Sequence, residues 1–208
     1  RDRYMMWQGG SLVRVDKTSE EGLYLTPQPD EDDAPERWNW DSPILQSPHK
    51  PDRIYYGSQR VWVSDDRGNS WQTISGDLTK NQNRYALKMM DDRVWGIDAL
   101  YDTYAMSLYN TTTTLSESPV AEGILYAGTD DGIIQSSKNS GKSWSKSKKI
   151  AKVPDTAFIQ DVEASLYDKE TVFAVATNHK VGDFKPYVVE STNTGKSWKS
   201  IAGDLPDS

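Results

Sequence analysis

The sequence predicts an all-β protein, a partial β-propeller of four-stranded antiparallel blades with about three and a half blades present. Three observations carry this. An octapeptide of the form Ser-x-Asp/Asn-x-Gly-x-Ser-Trp occurs at residues 64–71, 137–144 and 191–198. The residues before each copy align as well. Pro48 is followed nine positions later by Gly57 through Ile54-Tyr55-Tyr56, and Pro119 by Gly128 through Leu125-Tyr126-Ala127, while the same offset after Leu166 reaches Val172-Phe173-Ala174-Val175. Each unit therefore reads as an apolar strand, a polar turn, two further strands, the octapeptide and a returning strand. Four strands in about 40–50 residues is the length of a propeller blade.

Taken in order, residues 1–25 place Tyr4-Met5-Met6-Trp7 and Ser11-Leu12-Val13-Arg14-Val15 on either side of Gly9-Gly10. This is a hairpin, the outer half of a preceding blade. Residues 26–36 are acidic and Pro-rich, an exposed connector. The first blade spans 38–78, with strands near 42–47, 53–58, 60–64 and 70–75. Residues 79–108 are an insertion, in which 85–90 suit a short helix and 94–100 suit either helix or strand. Long insertions of this kind often carry function. The second blade spans 109–148 and the third 157–205. Ser75-Gly76-Asp77-Leu78 recurs as Ala202-Gly203-Asp204-Leu205 after the first and third octapeptides, and the middle unit lacks it. A closed propeller needs about four to eight blades. The chain is accordingly expected to be part of one larger propeller, with further blades or a partner chain covering its open blade faces.

Within each octapeptide the residue types match a hairpin tip. Ser64 with Asp66, Ser137 with Asn139 and Ser191 with Asn193 bring a side-chain acceptor to the loop N–H groups. Gly68, Gly141 and Gly195 supply a positive φ. Trp71, Trp144 and Trp198 open the returning strand and are expected to bury, each on its own blade.

Composition narrows the function. There are 24 Lys and Arg against 31 Asp and Glu, a net charge of −7. Such a surface repels phosphates and argues against nucleic-acid binding. Residues 142–149 form a local basic run that suits a solvated edge strand, where Lys also discourages edge pairing. There are no cysteines, which excludes disulfides, thiolate metal sites and a Cys nucleophile. The absence of Cys also suits an exported protein. No stretch approaches the roughly 20 apolar residues of a membrane helix. Neither a Gly-rich phosphate loop, a nucleophile elbow nor a zinc-binding helix is present, so no cofactor and no metal are expected.

With these runs in hand, the chain resembles bacterial Asp-box (bacterial neuraminidase repeat) propeller proteins of the glycosyl hydrolase and sortilin-like group. The resemblance rests on the octapeptides, on Trp38-Asn39-Trp40-Asp41-Ser42-Pro43-Ile44, on Ser47-Pro48-His49, on Gly128-Thr129-Asp130-Asp131-Gly132 and on residues 178–187. It implies an exported, extracytoplasmic protein, secreted, periplasmic or at the cell surface. It also implies one of three roles: a carbohydrate-active propeller, a non-catalytic propeller that binds peptide or protein as sortilin does, or a structural member of a cell-surface assembly. The sialidase Arg triad and the Cys-rich module of sortilin have no counterpart in this sequence.

Glycoside hydrolysis needs two carboxylates about 5–10 Å apart across the bound sugar. Acidic residues near the innermost strands are Asp41, Glu117, Asp161 and Glu163. Asp161 and Glu163 are two apart and share one strand face, where they form either a like-charge catalytic pair or a solvated channel wall. Asp41 adjoins Trp38 and Trp40, whose indoles offer either a sugar-stacking subsite or inter-blade packing. Residues 178–187 insert His179, Lys180, Asp183 and Lys185 between two strands, either a binding loop or a structural one. Asp130-Asp131-Gly132 reads as a turn between strands, with calcium ligation as the alternative.

Overall fold

The computed structural model describes residues 2–88, 92–94 and 108–206. They form four separate antiparallel sheets, each a simple meander. The first sheet has three strands, β1 (Asp2–Met6), β2 (Leu12–Asp16) and β3 (Gly22–Tyr24). The first blade is β4 (Ile44–Gln46), β5 (Ile54–Gly57), β6 (Val61–Ser64) and β7 (Gln72–Thr73). The second is β8 (Thr112–Glu117), β9 (Leu125–Thr129), β10 (Ile134–Ser137) and β11 (Ser145–Lys146). The third is β12 (Phe158–Ala164), β13 (Val172–Asn178), β14 (Asp183–Ser191) and β15 (Lys199–Ser200). The architecture is that of a partial β-propeller. Among the described residues, helix is confined to single 3-10 turns such as Arg84–Ala86. The helix suggested by 85–90 is therefore replaced, where described, by that turn. Lys88 pairs with Val94 as an isolated bridge; Met89, Met90 and residues 95–100 lie outside the described residues.

The burial of the strands follows from their position in the stack. β5 and β6 are buried at every residue. Successive side chains point to opposite faces, and both faces of the first blade are covered. Tyr56 and Trp62 join Leu12 and Leu25 of the N-terminal sheet. Tyr55, Val61 and Val63 join Leu125 and Ala127 of the second blade. Tyr126 and Ile134 then join Ile159, Val162, Val172 and Val189 of the third. In the third blade β13 alternates instead, with Val172, Ala174 and Ala176 buried and Val175 38% exposed.

Each octapeptide joins the third strand of a blade to its fourth, and the three copies share one hydrogen-bond pattern. The Ser64, Ser137 and Ser191 hydroxyls each accept from the N–H of the Gly four residues on, at 2.7, 2.9 and 2.9 Å. Oδ1 of Asp66, Asn139 or Asn193 accepts from the N–H of Ser70, Ser143 or Ser197 at 2.8, 2.9 and 2.9 Å. The second side-chain atom reverses polarity between Asp and Asn. Ser70 Oγ donates to Asp66, whereas Asn139 and Asn193 donate to Ser143 and Ser197. The Ser70 hydroxyl and N–H, with the Ser64 hydroxyl that donates to Asp66 Oδ1 at 2.7 Å, lower the Asp66 carboxyl pKa to about 2.

Positive φ is not confined to the glycines. The residue before each is left-handed too: Arg67 at 63°, Ser140 at 57° and Thr194 at 59°. Their N–H groups donate to the hairpin between the first two strands of the same blade, at Asp52 O, Gly123 O and Glu170 O (3.0, 2.9 and 2.8 Å). This bond ties the two hairpins at one end of each blade together. It offsets the cost of a left-handed non-Gly residue, about 1–2 kcal/mol.

The Trp side chains depart from expectation in one respect. Trp198 is buried, and Trp71 and Trp144 are half-buried, but each also packs on the blade before its own. Trp144 Nε1 donates to Ile74 O at 2.8 Å, and Trp198 Nε1 to Ser147 Oγ at 3.1 Å. Ile74 and Ser147 each lie three residues after the Trp of the preceding octapeptide. Trp71 sits in the cluster shared with the N-terminal sheet, 6.4 Å from the Tyr56 ring. An indole is the largest apolar side chain a hairpin can project, and it carries an N–H that needs an acceptor when buried. The gap between two blades supplies both needs at Trp144 and Trp198; at Trp71 it supplies the apolar cover, and Nε1 is buried without an acceptor among the described residues.

The glycines make the same contact. A Cβ on Gly141 would lie 2.7 Å from Ile74, and one on Gly68 2.7 Å from Leu25. At Gly195 nothing would come nearer than 3.7 Å. Two outcomes follow for urea denaturation. Trp198→Ala should cost about 3–5 kcal/mol. Gly195→Ala should cost only its left-handed backbone, about 1–2 kcal/mol, and Gly141→Ala about 1–3 kcal/mol more for the overlap with Ile74. Equal costs at the two glycines would show that the inter-blade approach is not tight.

Candidate functional site

The connectors that lead into the innermost strands, and the turns between second and third strands, lie together at one end of the blades. In the first blade the connector places Glu36 over the β5–β6 turn. Glu36 accepts from Arg60 Nε at 2.6 Å, from Trp62 Nε1 at 3.3 Å and from the Ser58 hydroxyl. Arg37 N–H donates to Gln59 Oε1, and its Nε to Asn110 O in the next connector (2.7 and 3.1 Å). Asn39 reaches further and donates to Thr111 Oγ1 at 2.7 Å. These bonds fix the two connectors side by side.

The corresponding turn of the second blade carries the most perturbed carboxylate. Thr111 N–H and Oγ1–H donate to Asp130 at 2.9 and 2.7 Å. Asp130 is 3% exposed, and burial raises its pKa to about 7 against the opposing effect of the Thr111 bonds. Asp131 accepts from Thr129 Oγ1 at 2.5 Å and from Lys80 N–H at 2.6 Å. Both carboxylates are thus engaged by protein donors, as a turn requires. Among the described residues no group of three acidic or His side chains is placed to hold a metal ion.

Lys180, at the equivalent turn of the third blade, leans over this one. Its Nζ donates to the Asp130 carbonyl at 3.3 Å and lies 4.8 Å from the centre of the Tyr109 ring. Burial lowers the Lys180 pKa, and burial with Asp130 and Asp131 nearby raises that of the Tyr109 hydroxyl. Asn110 and Gln82 exchange two hydrogen bonds of 2.8 Å, which hold the Arg84–Ala86 turn above the same place. The result is a hollow of about 260 Å³ lined by Arg84, Leu87, Lys88, Tyr109, Thr156, Asn178, Lys180 and Val181.

The residues singled out from sequence are distributed over three places. Asp161 and Glu163 are both exposed on β12, the first strand of the third blade. Asp161 Oδ1 accepts from Thr114 Oγ1 of β8 at 3.0 Å. Glu163 has a raised pKa, from partial loss of solvent against the strand first and the like charge of Asp161 second. A break in register between Ile159 and Asp161 locally bends this strand. Glu117 is buried at the far end of β8 and accepts from Gly123 N–H at 3.1 Å.

Trp38 is half-buried, 4.9 Å from Tyr56 and pressed on Gly10, so it serves packing between sheets. Trp40 is 41% exposed and Asp41 is exposed beside it. In the third-blade insertion the side chains diverge. Asp183 accepts from Asn178 Nδ2 and Tyr187 OH (3.0 and 2.6 Å), which lowers its pKa and braces the hairpin. His179 is exposed against Phe184, Lys185 is exposed, and Lys180 alone reaches the second blade. The hollow therefore recruits Tyr109, Arg84 and Asn178, which sequence reasoning did not select. Asp130 was visible only as part of a turn motif.

No family model and no curated protein matches the sequence. Solved structures do match. An ancestral GH74 enzyme aligns with 98% of this chain at 15% identity, with a TM-score of 0.58 and 22% of its own length covered. A NanB sialidase mutant from Streptococcus pneumoniae aligns with 86% of this chain at 15% identity, with a TM-score of 0.48 and 25% of its length covered. YCF48 from Cyanidioschyzon merolae aligns with 77% at 15% identity, with a TM-score of 0.46 and 37% of its length covered. The chain thus spans about a fifth of the GH74 structure, and that likeness is one of fold.

The state of Asp130 gives a pH signature. Its folded pKa, about 7, lies above the ordinary carboxylate value of 3.8. The folded state therefore binds the extra proton, and its stability falls as pH rises from about 4 to about 7. Asp130→Asn keeps an acceptor for Thr111 N–H and removes the titration. The stability difference between wild type and this variant, from urea midpoints, should move against wild type across that window and level off above it. A pH-independent difference would place the Asp130 pKa in the ordinary range.

Proposed function

We propose that the chain belongs to an exported, carbohydrate-active Asp-box propeller that engages glycan on the face built by the inner-strand connectors and the turns between second and third strands. The observation that carries this reading is the concentration there of a formed hollow with an aromatic wall (Tyr109), amide and hydroxyl groups (Asn178, Thr156) and a cation whose pKa burial lowers (Lys180). A mostly preformed concave site of this composition is the default ligand site of a rigid scaffold. Carbohydrate is favoured over peptide by the exposed indole of Trp40 beside Asp41 at the entrance to the first blade, and by the fold likeness to a GH74 enzyme.

Hydrolysis would draw on Asp161 and Glu163. They lie side by side on one strand, not opposed across a gap, so they account for one side of a two-carboxylate centre. The opposing carboxylate would come from another blade of the complete propeller. Binding of peptide or protein at this face, without catalysis, is the competing reading.

The test is hydrolysis and binding of a panel of β-glucans and xyloglucan by the full protein. Cleavage that falls at least about 10²-fold in Asp161→Asn or Glu163→Gln supports a hydrolase with these residues in its centre. Glycan binding without cleavage supports a carbohydrate-binding propeller. Retention of peptide and of no glycan would overturn the carbohydrate reading.

A further inference from the structure

A second hollow, of about 430 Å³, is lined by Gly132 of the Asp130–Gly132 turn and by Asp155, whose chain neighbour Thr156 lines the first. Lys80, Lys146, Lys148 and Lys149 line it, over an apolar floor that includes Ile133 and Val153. Among the described residues one that bears a carboxyl, Asp155, shares the lining, and Lys80 Nζ donates to its carbonyl. The basic run that the sequence places at 142–149 thus contributes three of four lysines to one concavity. The first hollow adds Arg84, Lys88 and Lys180, with Lys88 paired to the exposed Asp92 at 3.2 Å. Lys80 and Lys180 grip the same turn, through Asp131 Oδ2 and the Asp130 carbonyl. The carboxylates of Asp130 and Asp131 are buried within the turn and do not face either hollow. On a chain with net charge −7, this is a cationic surface of two neighbouring parts.

We propose that the two hollows form one binding surface for an acidic polysaccharide, a glycan whose sugars carry carboxylates. The inference rests on the carbohydrate reading above and names the class of glycan. A β-turn spans less than about 7 Å, so one extended oligosaccharide reaches across both sides of it. The cations meet carboxylates, while Asn178 and Thr156 offer partners to sugar hydroxyls and Tyr109, Leu87 and Val181 supply apolar wall. Lys80 and Lys180 are both partly desolvated, with lowered pKa values despite Asp131 and Asp155 near the first and Asp130 and Asp131 near the second, so an arriving anion adds to the stabilisation of their charged forms. The acidic remainder of the chain repels a dense polyanion such as nucleic acid and tolerates a glycan with one charge per sugar.

The experiment is calorimetric titration of the full protein with three probes: a galacturonate oligosaccharide, a neutral cello-oligosaccharide of equal length and a poly-glutamate peptide. The galacturonate should bind most tightly, and its affinity should fall with added salt. Lys146 and Lys149 are exposed, so Lys146→Ala/Lys149→Ala should leave the thermal melt unchanged, weaken galacturonate at least about fivefold and flatten its salt dependence. Lys180→Met tests the other hollow with the same expectation; if it fails to fold, the surface pair decides. Neutral glycan bound as tightly, with no response to the lysine substitutions, overturns this inference and leaves the carbohydrate reading standing. Poly-glutamate bound as tightly as galacturonate overturns it in favour of acidic peptide. Binding of none of the three overturns this inference as well.

Discussion

The indole that opens the fourth strand of each blade lies across the gap to the blade before it, and the rest of the structure is arranged around that contact. Trp144 and Trp198 donate to Ile74 O and Ser147 Oγ. Ser136 and Ser147 hydroxyls donate back to Thr194 O and Gly195 O at 2.9 and 2.7 Å. Arg14 does the same for the first octapeptide, through Arg67 O and Asn69 Oδ1 (2.6 and 3.0 Å). The octapeptide loop is therefore a joint as well as a turn. Its left-handed pair of residues brings the loop backbone to the neighbouring blade, and its Ser and Asp or Asn keep the loop rigid enough for the contact to be specific. Fixing the blades at their outer strands in turn fixes the inner strands. β8 and β12 are tied by Thr113 Oγ1 to Ile159 O and by Ala164 N–H to Ser116 Oγ (2.5 and 3.1 Å).

The fold was legible because the repeat writes the same local chemistry three times. Gly-containing tips, apolar strands and the Trp of each octapeptide agree with one another, so local preference and global architecture coincide. What the sequence left obscure was the direction of the Trp contact. A buried indole looks the same from sequence whichever blade covers it; only the spacing of Ile74 and Ser147 after the previous Trp discloses the neighbour. The left-handed Arg67, Ser140 and Thr194 were hidden for a similar reason, since three unlike side chains mask one backbone requirement.

The candidate site was legible only in fragments. Lys180 and the Asp130 turn lie 50 residues apart in sequence, and the Arg84 turn comes from the insertion between blades. Such a site is assembled by blade stacking, which no single repeat records. Asp161 and Glu163 were singled out because they share a strand face, a period-two property readable from two letters, and both are exposed on β12. Asp183 was misleading for the opposite reason: a polar loop residue looks available, yet Tyr187 and Asn178 consume it.

The inter-blade contact is heterologous. One side contributes an indole and a left-handed Gly; the other contributes a carbonyl or hydroxyl three residues beyond its own Trp. Ile201 occupies that second position in the third blade and is 42% exposed. A surface of this kind cannot satisfy itself by a two-fold rotation, because two acceptor sides brought face to face leave both without an indole. It can only be extended head to tail, and head-to-tail contacts end in a ring or in an open fibre according to the angle each step adds. The small rotation set by one Trp and one Gly per blade therefore decides, for any molecule built of these units, between a closed disc and an unlimited polymer.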